Sequence, residues 1–215
     1  MLGNISLQRY WPSHLILVLV CMMGFCIKAP AADSIPCIAY ERSQYKHWID
    51  ADHDGEDTRR EVLIRYNLDS TGAKHGHWFD PYTGRTFNAP ESLQIDHVVA
   101  LSEAHRSGAW AWDSLQRMAF ANDLGKPTQL LAVYGPTNED KGDKDPAHWL
   151  PPRTEYWKDY AKLWIGIKKR WDLSIDTKEQ EALRKLLGYA ADSVAWPRIE
   201  DEYRCEHKKG KHSQH

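Results

Sequence analysis

Asp96 and His97 stand side by side in the segment IDHVV, and Asn138 follows further along in the segment TNEDKGDKDP. Hydrolysis of a phosphodiester needs a base to take a proton from water, a cation to neutralise the charge that develops, and protection of the leaving oxygen. A free imidazole titrates at about 6.5, so His97 is expected to be largely neutral and basic at neutral pH, with activity falling below about pH 6–7. Carboxylate and amide oxygens are hard ligands, so Asp96 and Asn138 suit magnesium or manganese better than zinc. Neighbouring side chains on a strand point to opposite faces. One of the pair can therefore hold an ion while the other reaches the substrate from another side.

The elements that must position these groups can be read from periodicity. Leu93 to Val99 is an extended run with β-branched residues, and Gln129 to Tyr134 is a second apolar strand, ended by Gly135-Pro136. Before them, HWFDPYTGRTFN has aromatic-flanked runs around the turn signal of Asp80 to Gly84, which predicts a β-hairpin. Tyr45, Trp48 and Ile49 fall at helical spacing, predicting a short helix within Tyr40–Ile49. A second helix is predicted from Thr58 to about Asn67, with Thr58 as N-cap and Glu61 as its capping-box partner. Helix-prone sequence follows around Glu103 and from Trp112 to Phe120. Further on, Tyr156, Tyr160, Leu163, Trp164, Ile167 and Trp171 form one apolar helical stripe. A last helix fits Thr177 to Leu187, with Asp176 and Glu179 at capping-box spacing and Gly188 as the stop.

Between the first two predicted helices, Asp50, Asp52, Asp54, Gly55 and Glu61 satisfy D-x-D-x-D-G-x5-E, with Glu56 between them at the position that lends its carbonyl. This is calcium-loop spacing, in competition with the capping role of Glu61. Lys141 and Lys144, with Arg153 and Lys158 beyond them, are the candidate phosphate-binding patch. Such a local patch is needed because 28 Lys and Arg face 30 Asp and Glu, which excludes a globally basic nucleic-acid binder. His105 lies one or two helical turns past the Asp96-His97 strand and could approach the site, but is expected at the surface.

Residues 1–32 read as a signal peptide: Arg9, an apolar run from Leu15 to Ile27 that is too short to span a bilayer, then Ala29-Pro30-Ala31-Ala32. Cleavage there removes Cys21 and Cys26, leaving Cys37 and Cys205 as the expected disulfide of an exported protein with no membrane attachment. Residues 33–200 are long enough for one domain, and 201–215 form a polar basic tail.

Taken together, IDHVVALSEAHRSGAWAW, FAND, QLLAV and TNEDKGDKDPAHWLP resemble the HNH endonucleases of the ββα-metal class, in the secreted branch related to the C-terminal domain of modification-dependent restriction enzymes. The resemblance runs from about Tyr40 to about Trp171. It implies an α+β fold, a mainly helical single domain built around a ββα-metal motif with short β-hairpins. It also implies His97 as general base, with Asp96 and Asn138 as ligands of one magnesium or manganese ion and Asn138 near the start of the motif's helix. Counting back from Asn138, Gln129 occupies the place of the family's central asparagine, which ties the loop between the strands; Asn122 in FAND is the alternative. The implied reaction is one-metal hydrolysis of DNA leaving 5′-phosphates. Nothing in the sequence reads a 2′-hydroxyl, so RNA cleavage or indifference to the sugar is the alternative within enzymes. A calcium-stabilised, aromatic-rich surface-binding module is the alternative outside them, and it leaves Asp96, His97 and Asn138 without a shared purpose. The oligomeric state is not legible.

Overall fold

The computed structural model describes residues 39–200. The predicted signal peptide, the Cys37–Cys205 pair and the basic tail lie outside the described residues. Among those described, no helix is long and apolar enough to cross a membrane. The architecture is α+β and mainly helical, with two small antiparallel sheets.

Helix α1, Thr58–Tyr66, is capped by Asp57, whose carboxylate accepts from the Arg60 amide at 2.9 Å. The predicted cap, Thr58, is instead the first helical residue. Its hydroxyl donates to the Ile49 carbonyl (3.0 Å) and to Asn122 (2.9 Å), tertiary partners that local pattern does not reveal. Strands β1 (Trp78–Asp80) and β2 (Arg85–Phe87) make the predicted hairpin, in register Phe79 to Thr86. The buried Asp80 closes its turn by accepting from the Tyr82 amide and the Thr83 hydroxyl. Gly84 completes the turn at φ 72°, left-handed backbone that favours glycine.

Strand β3 (Leu93–His97) pairs antiparallel with β4 (Leu130–Tyr134), placing Asp96 opposite Leu131 and His97 opposite Leu130. Between them lie α2 (Leu101–Arg106) and α3 (Ser114–Ala121), and α4 (Gly135–Lys141) follows β4 directly. Alternation along the strands splits the core in two. Leu93, Ile95, Leu130 and Ala132 pack with Val62, Leu63 and Trp78 on one side. Leu131 and Val133 join Tyr82, Phe120, Tyr160 and Trp164 in the larger cluster on the other.

The aromatic stripe forms α5, Trp157–Arg170, against α6, Thr177–Leu187. Asp176 caps α6 by accepting from the Glu179 amide at 2.8 Å, but the Glu179 side chain does not return to close a capping box. It turns inward, to Lys168 (2.8 Å) and the Trp164 indole. The predicted Tyr40–Ile49 helix is replaced by a single 3-10 turn, Arg42–Gln44, and an irregular chain with Trp48 at φ 58°. The apolar spacing there reflects two different burial sites and not one helix face: Tyr45 is wholly buried beneath His105, and Trp48 packs on His97.

One buried ammonium joins α2, α5 and α6. Lys168 donates to Glu103 (2.6 Å), Ser107 (2.9 Å) and Glu179 (2.8 Å), with no exposed side-chain surface. Burial opposes ionisation of Glu103, but the charges of Lys168 and Arg106 outweigh it and hold that carboxyl below its usual range. For Glu179 burial wins and pushes the carboxyl up, since one cation does not fully serve two buried anions. A raised carboxyl pKa contributes stability below the unfolded value of about 4.3, and that contribution is lost as pH rises through the folded value. Glu179→Gln is therefore expected to gain stability relative to wild type between about pH 5 and about pH 8. Lys168→Met is expected to lose about 3–5 kcal/mol by urea unfolding. Equal pH slopes for wild type and Glu179→Gln would overturn this account of Glu179.

Candidate active site

β3, β4 and α4 bring Asp96, His97 and Asn138 to one cleft of about 290 Å³, whose lining also includes Tyr40, Arg42, Gln94 and Asp143. Odd and even positions of β3 send His97 and Asp96 to opposite faces, as the strand rule requires. On the His97 side the ring stacks on Trp48, with centroids 5.7 Å apart and planes at 26°. Its Nε2 lies 2.8 Å from the Ala121 carbonyl, which has only lone pairs to offer, so Nε2–H is the donor and Nδ1 carries the free lone pair. His97 as a whole residue is 6% exposed. Burial pushes its pKa down to about 3, against the opposing pull of the Ala121 bond, and the charges of Arg42 and Lys141 act in the same direction as burial. The expectation of a titration near 6–7 is thus corrected: desolvation keeps this histidine neutral well below that range.

On the other face, Asp96 is anchored at both oxygens. Tyr82 donates to Oδ2 at 2.6 Å and Lys141 to Oδ1 at 2.8 Å. Lys141 also donates to the His97 carbonyl at 2.9 Å, so one ammonium holds the backbone of His97 and the carboxylate beside it. Burial raises the Asp96 carboxyl above its ordinary value, although the Lys141 charge pulls it down.

Asn138 lies at the middle of the seven-residue α4, further in than the helix start that the resemblance implied. Its Nδ2 donates to Gln94 Oε1 at 2.9 Å, and Gln94 Nε2 donates in turn to Glu139 at 2.8 Å. This relay fixes the amide so that Oδ1 is the atom without a protein partner among the described residues. Gly135 at the start of α4 lets Gln94 lie close: an added Cβ would stand 3.3 Å from Gln94 Nε2.

Gln129 is wholly buried and clasps the segment after β3: its Oε1 accepts from the Val99 amide (3.2 Å) and its Nε2 donates to the Val99 carbonyl (2.8 Å). Asn122 lies elsewhere, accepting from Ile49 and Thr58 and donating to Lys46 and Met118. It ties the acidic loop to the end of α3 and leaves the loop between the strands to Gln129.

Lys141 requires a correction, because an ammonium with 0% exposure inside an ion pair is no surface contact for phosphate. Lys144 is exposed but turned back onto the Asp140 carbonyl. Arg153 lies on the hairpin, over the Phe79 ring at 5.4 Å. Neither lines the cleft. His105 is likewise not at the surface: it is buried, with its Nδ1 3.0 Å from the Tyr45 hydroxyl. Sequence reading missed Tyr82, Gln94, Trp48 and Arg42, which reach the site through the fold and carry no local signal.

In the acidic loop, Asp50, Asp52 and Asp54 bring carboxylate oxygens within 4.8 Å of one another. Because Asp57 caps α1, Glu61 is free of the capping role, and burial together with Asp52 and Asp54 pushes its carboxyl up. Glu56 points to Arg60, 3.7 Å away.

The family model described as the C-terminal domain of GmrSD restriction endonucleases matches residues 41–186. A protein of Arthroderma benhamiae (strain ATCC MYA-4681 / CBS 112371), described as an uncharacterized secreted protein, is 42% identical over 158 residues, covering 71% of this chain and 76% of that one. No solved structure matches the chain.

The two lysines of the TNEDKGDKDP segment should separate cleanly. Lys141→Met strands a buried carboxylate and is expected to cost about 3–5 kcal/mol in urea unfolding. Lys144→Met is expected to stay within about 0.5 kcal/mol of wild type. Comparable losses from both would contradict the buried role of Lys141.

Proposed function

The chain belongs to the family of the GmrSD restriction endonuclease C-terminal domain, and from that premise we propose that it is a secreted, metal-dependent HNH endonuclease hydrolysing DNA to 5′-phosphate ends. The observation that carries the reading is the convergence of Asp96, His97 and Asn138 on one cleft. Secretion is supported by the leader-like residues 1–32 and by the description of the Arthroderma benhamiae relative.

The donor set suits a hard divalent cation. Asn138 Oδ1 has no protein partner among the described residues, and each Asp96 oxygen accepts one hydrogen bond, leaving lone pairs. Asp96 and Asn138 would hold magnesium or manganese, which when bound neutralises charge on the phosphate and the leaving oxygen. His97 offers Nδ1 to the attacking water while Ala121 holds the opposite edge of the ring. Trp48 covers its face and limits access of bulk water. Lys141 and Tyr82 keep Asp96 in place, and Gln94 keeps the Asn138 oxygen outward.

His97→Ala is expected to lower cleavage by about 10²–10⁴ while metal affinity by calorimetry stays near wild type. Asn138→Ala is expected to weaken metal affinity as well, with partial recovery in excess manganese. The acid limb of wild-type activity should lie below about pH 5 and not near 6.5, since burial and a bound cation both disfavour the imidazolium. Plasmid, single-stranded DNA and RNA, each with magnesium, manganese or EDTA, give the substrate test. Absence of cleavage in every arm would overturn the nuclease reading, and cleavage of RNA alone would replace DNA as substrate.

The acidic loop is read as a structural calcium site. Its support is the carboxylate cluster of Asp50, Asp52 and Asp54 with Glu61 released from capping, and the Oδ1 of Asp50, buried without a hydrogen-bond partner. Calcium is expected to raise the melting temperature of the Asn138→Ala variant, by about 2.7 kcal/mol of added stability at a hundredfold excess over Kd. A flat melting temperature from micromolar to millimolar calcium would remove the site.

A further inference from the structure

A cleft that receives a nucleic-acid backbone must offer positive charge to the phosphate, yet the charged side chains lining this one are Asp96 and Asp143 against a single arginine, Arg42. Lys141 does not restore the balance, because its ammonium is sealed between Asp96 and the His97 carbonyl. Arg42 begins the 3-10 turn, and its side chain is exposed at the cleft. Among the described residues no carboxylate forms an ion pair with it. The guanidinium lies near the Tyr40 hydroxyl, where its charge opposes the upward push of burial on that group. Tyr40 is itself set against buried rings, 5.8 Å from Tyr45 and 5.6 Å from His105 between centroids. The turn is fixed from below by Tyr45, wholly buried with Arg117 over its ring. Arg42 is thus an exposed cation that lines the cleft together with Tyr40 and His97, close enough to His97 for its charge to act on the imidazole.

We propose that Arg42, beside Tyr40 in the cleft lining, binds a non-bridging oxygen of the phosphodiester presented to His97. The inference rests on the nuclease reading of the cleft. A planar guanidinium suits this task better than an ammonium, since two parallel N–H donors match two phosphate oxygens and fix orientation as well as charge. A fixed donor aimed at charge that grows in the transition state acts on turnover, whereas a loose surface cation acts on binding alone.

The test compares Arg42→Ala, Arg42→Lys and Tyr40→Phe with wild type and His97→Ala, on a short DNA duplex at several salt concentrations. Arg42→Ala is expected to lower kcat/KM by about 10²–10³, with kcat falling as well as affinity. Arg42→Lys should recover part of the loss and Tyr40→Phe should lose less. The slope of log affinity against log salt should become shallower by about one in Arg42→Ala. Replacing the scissile phosphate by a neutral methylphosphonate should slow wild type and leave Arg42→Ala little further affected. The melting temperature should not move, because the side chain is exposed. Wild-type kcat/KM and salt slope in Arg42→Ala, beside an inactive His97→Ala, would overturn the role of Arg42 and leave the nuclease reading standing. Inactivity of wild type itself on every substrate and metal would overturn both.

Discussion

The ammonium of Lys141 is the constraint on which the site's geometry depends. It lies at the end of α4, has no exposed surface, and bonds both the Asp96 carboxylate and the His97 carbonyl at the end of β3. Tyr82, from the turn of the hairpin, completes the shell of Asp96. Three elements distant in sequence are thereby locked at one point. A buried ion pair of this kind seldom adds net stability over a well-packed apolar replacement, because desolvation offsets much of the attraction. Its effect here is register. Once the end of α4 is fixed on β3, Asn138 one turn earlier must face Gln94, and its oxygen must face the cleft.

The larger cluster uses the same device a second time. Lys168 draws Glu103 of α2, Ser107 just after it and Glu179 of α6 onto α5. Because α2 follows β3 after only a few residues, holding it also limits where the end of β3 can go. Gln129 grips the intervening backbone at Val99 from both sides of its amide. The chain on either side of the Asp96-His97 pair is therefore fixed by polar contacts in a dry interior, where an unmade bond costs more than in water.

Much of the scaffold was legible, because its signals are periodic and local. The hairpin around Asp80, the two strands around Asp96 and Leu131 and the stripe of α5 all follow from alternation or helical spacing. The match of residues 41–186 likewise rests on words visible in the chain. Partners chosen by the fold were not legible. Asp57 and Thr58 are both capping residues by type, and only the tertiary bonds of Thr58 to Ile49 and Asn122 decide between them. Lys141 and Lys144 look alike in a charged loop, yet three residues along a turn place one in the core and the other in water. Arg42 was invisible because its relevance comes from a cleft assembled mostly by residues far along the chain.

Burial of His97 bears directly on its proposed role as general base. An imidazole held neutral by desolvation is always ready to accept a proton, but by the same measure it is a weak base, and general-base efficiency is greatest near the operating pH. What depresses its basicity is first desolvation, with the charges of Arg42, His47 and Lys141 adding to the effect and the Ala121 bond opposing it. In the proposed reaction an incoming phosphodiester would place an anion next to the ring and take up the field of Arg42. Each change favours the imidazolium. In the proposed reaction a bound phosphodiester would thereby offset the desolvation of His97, whereas the free cleft keeps the imidazole neutral.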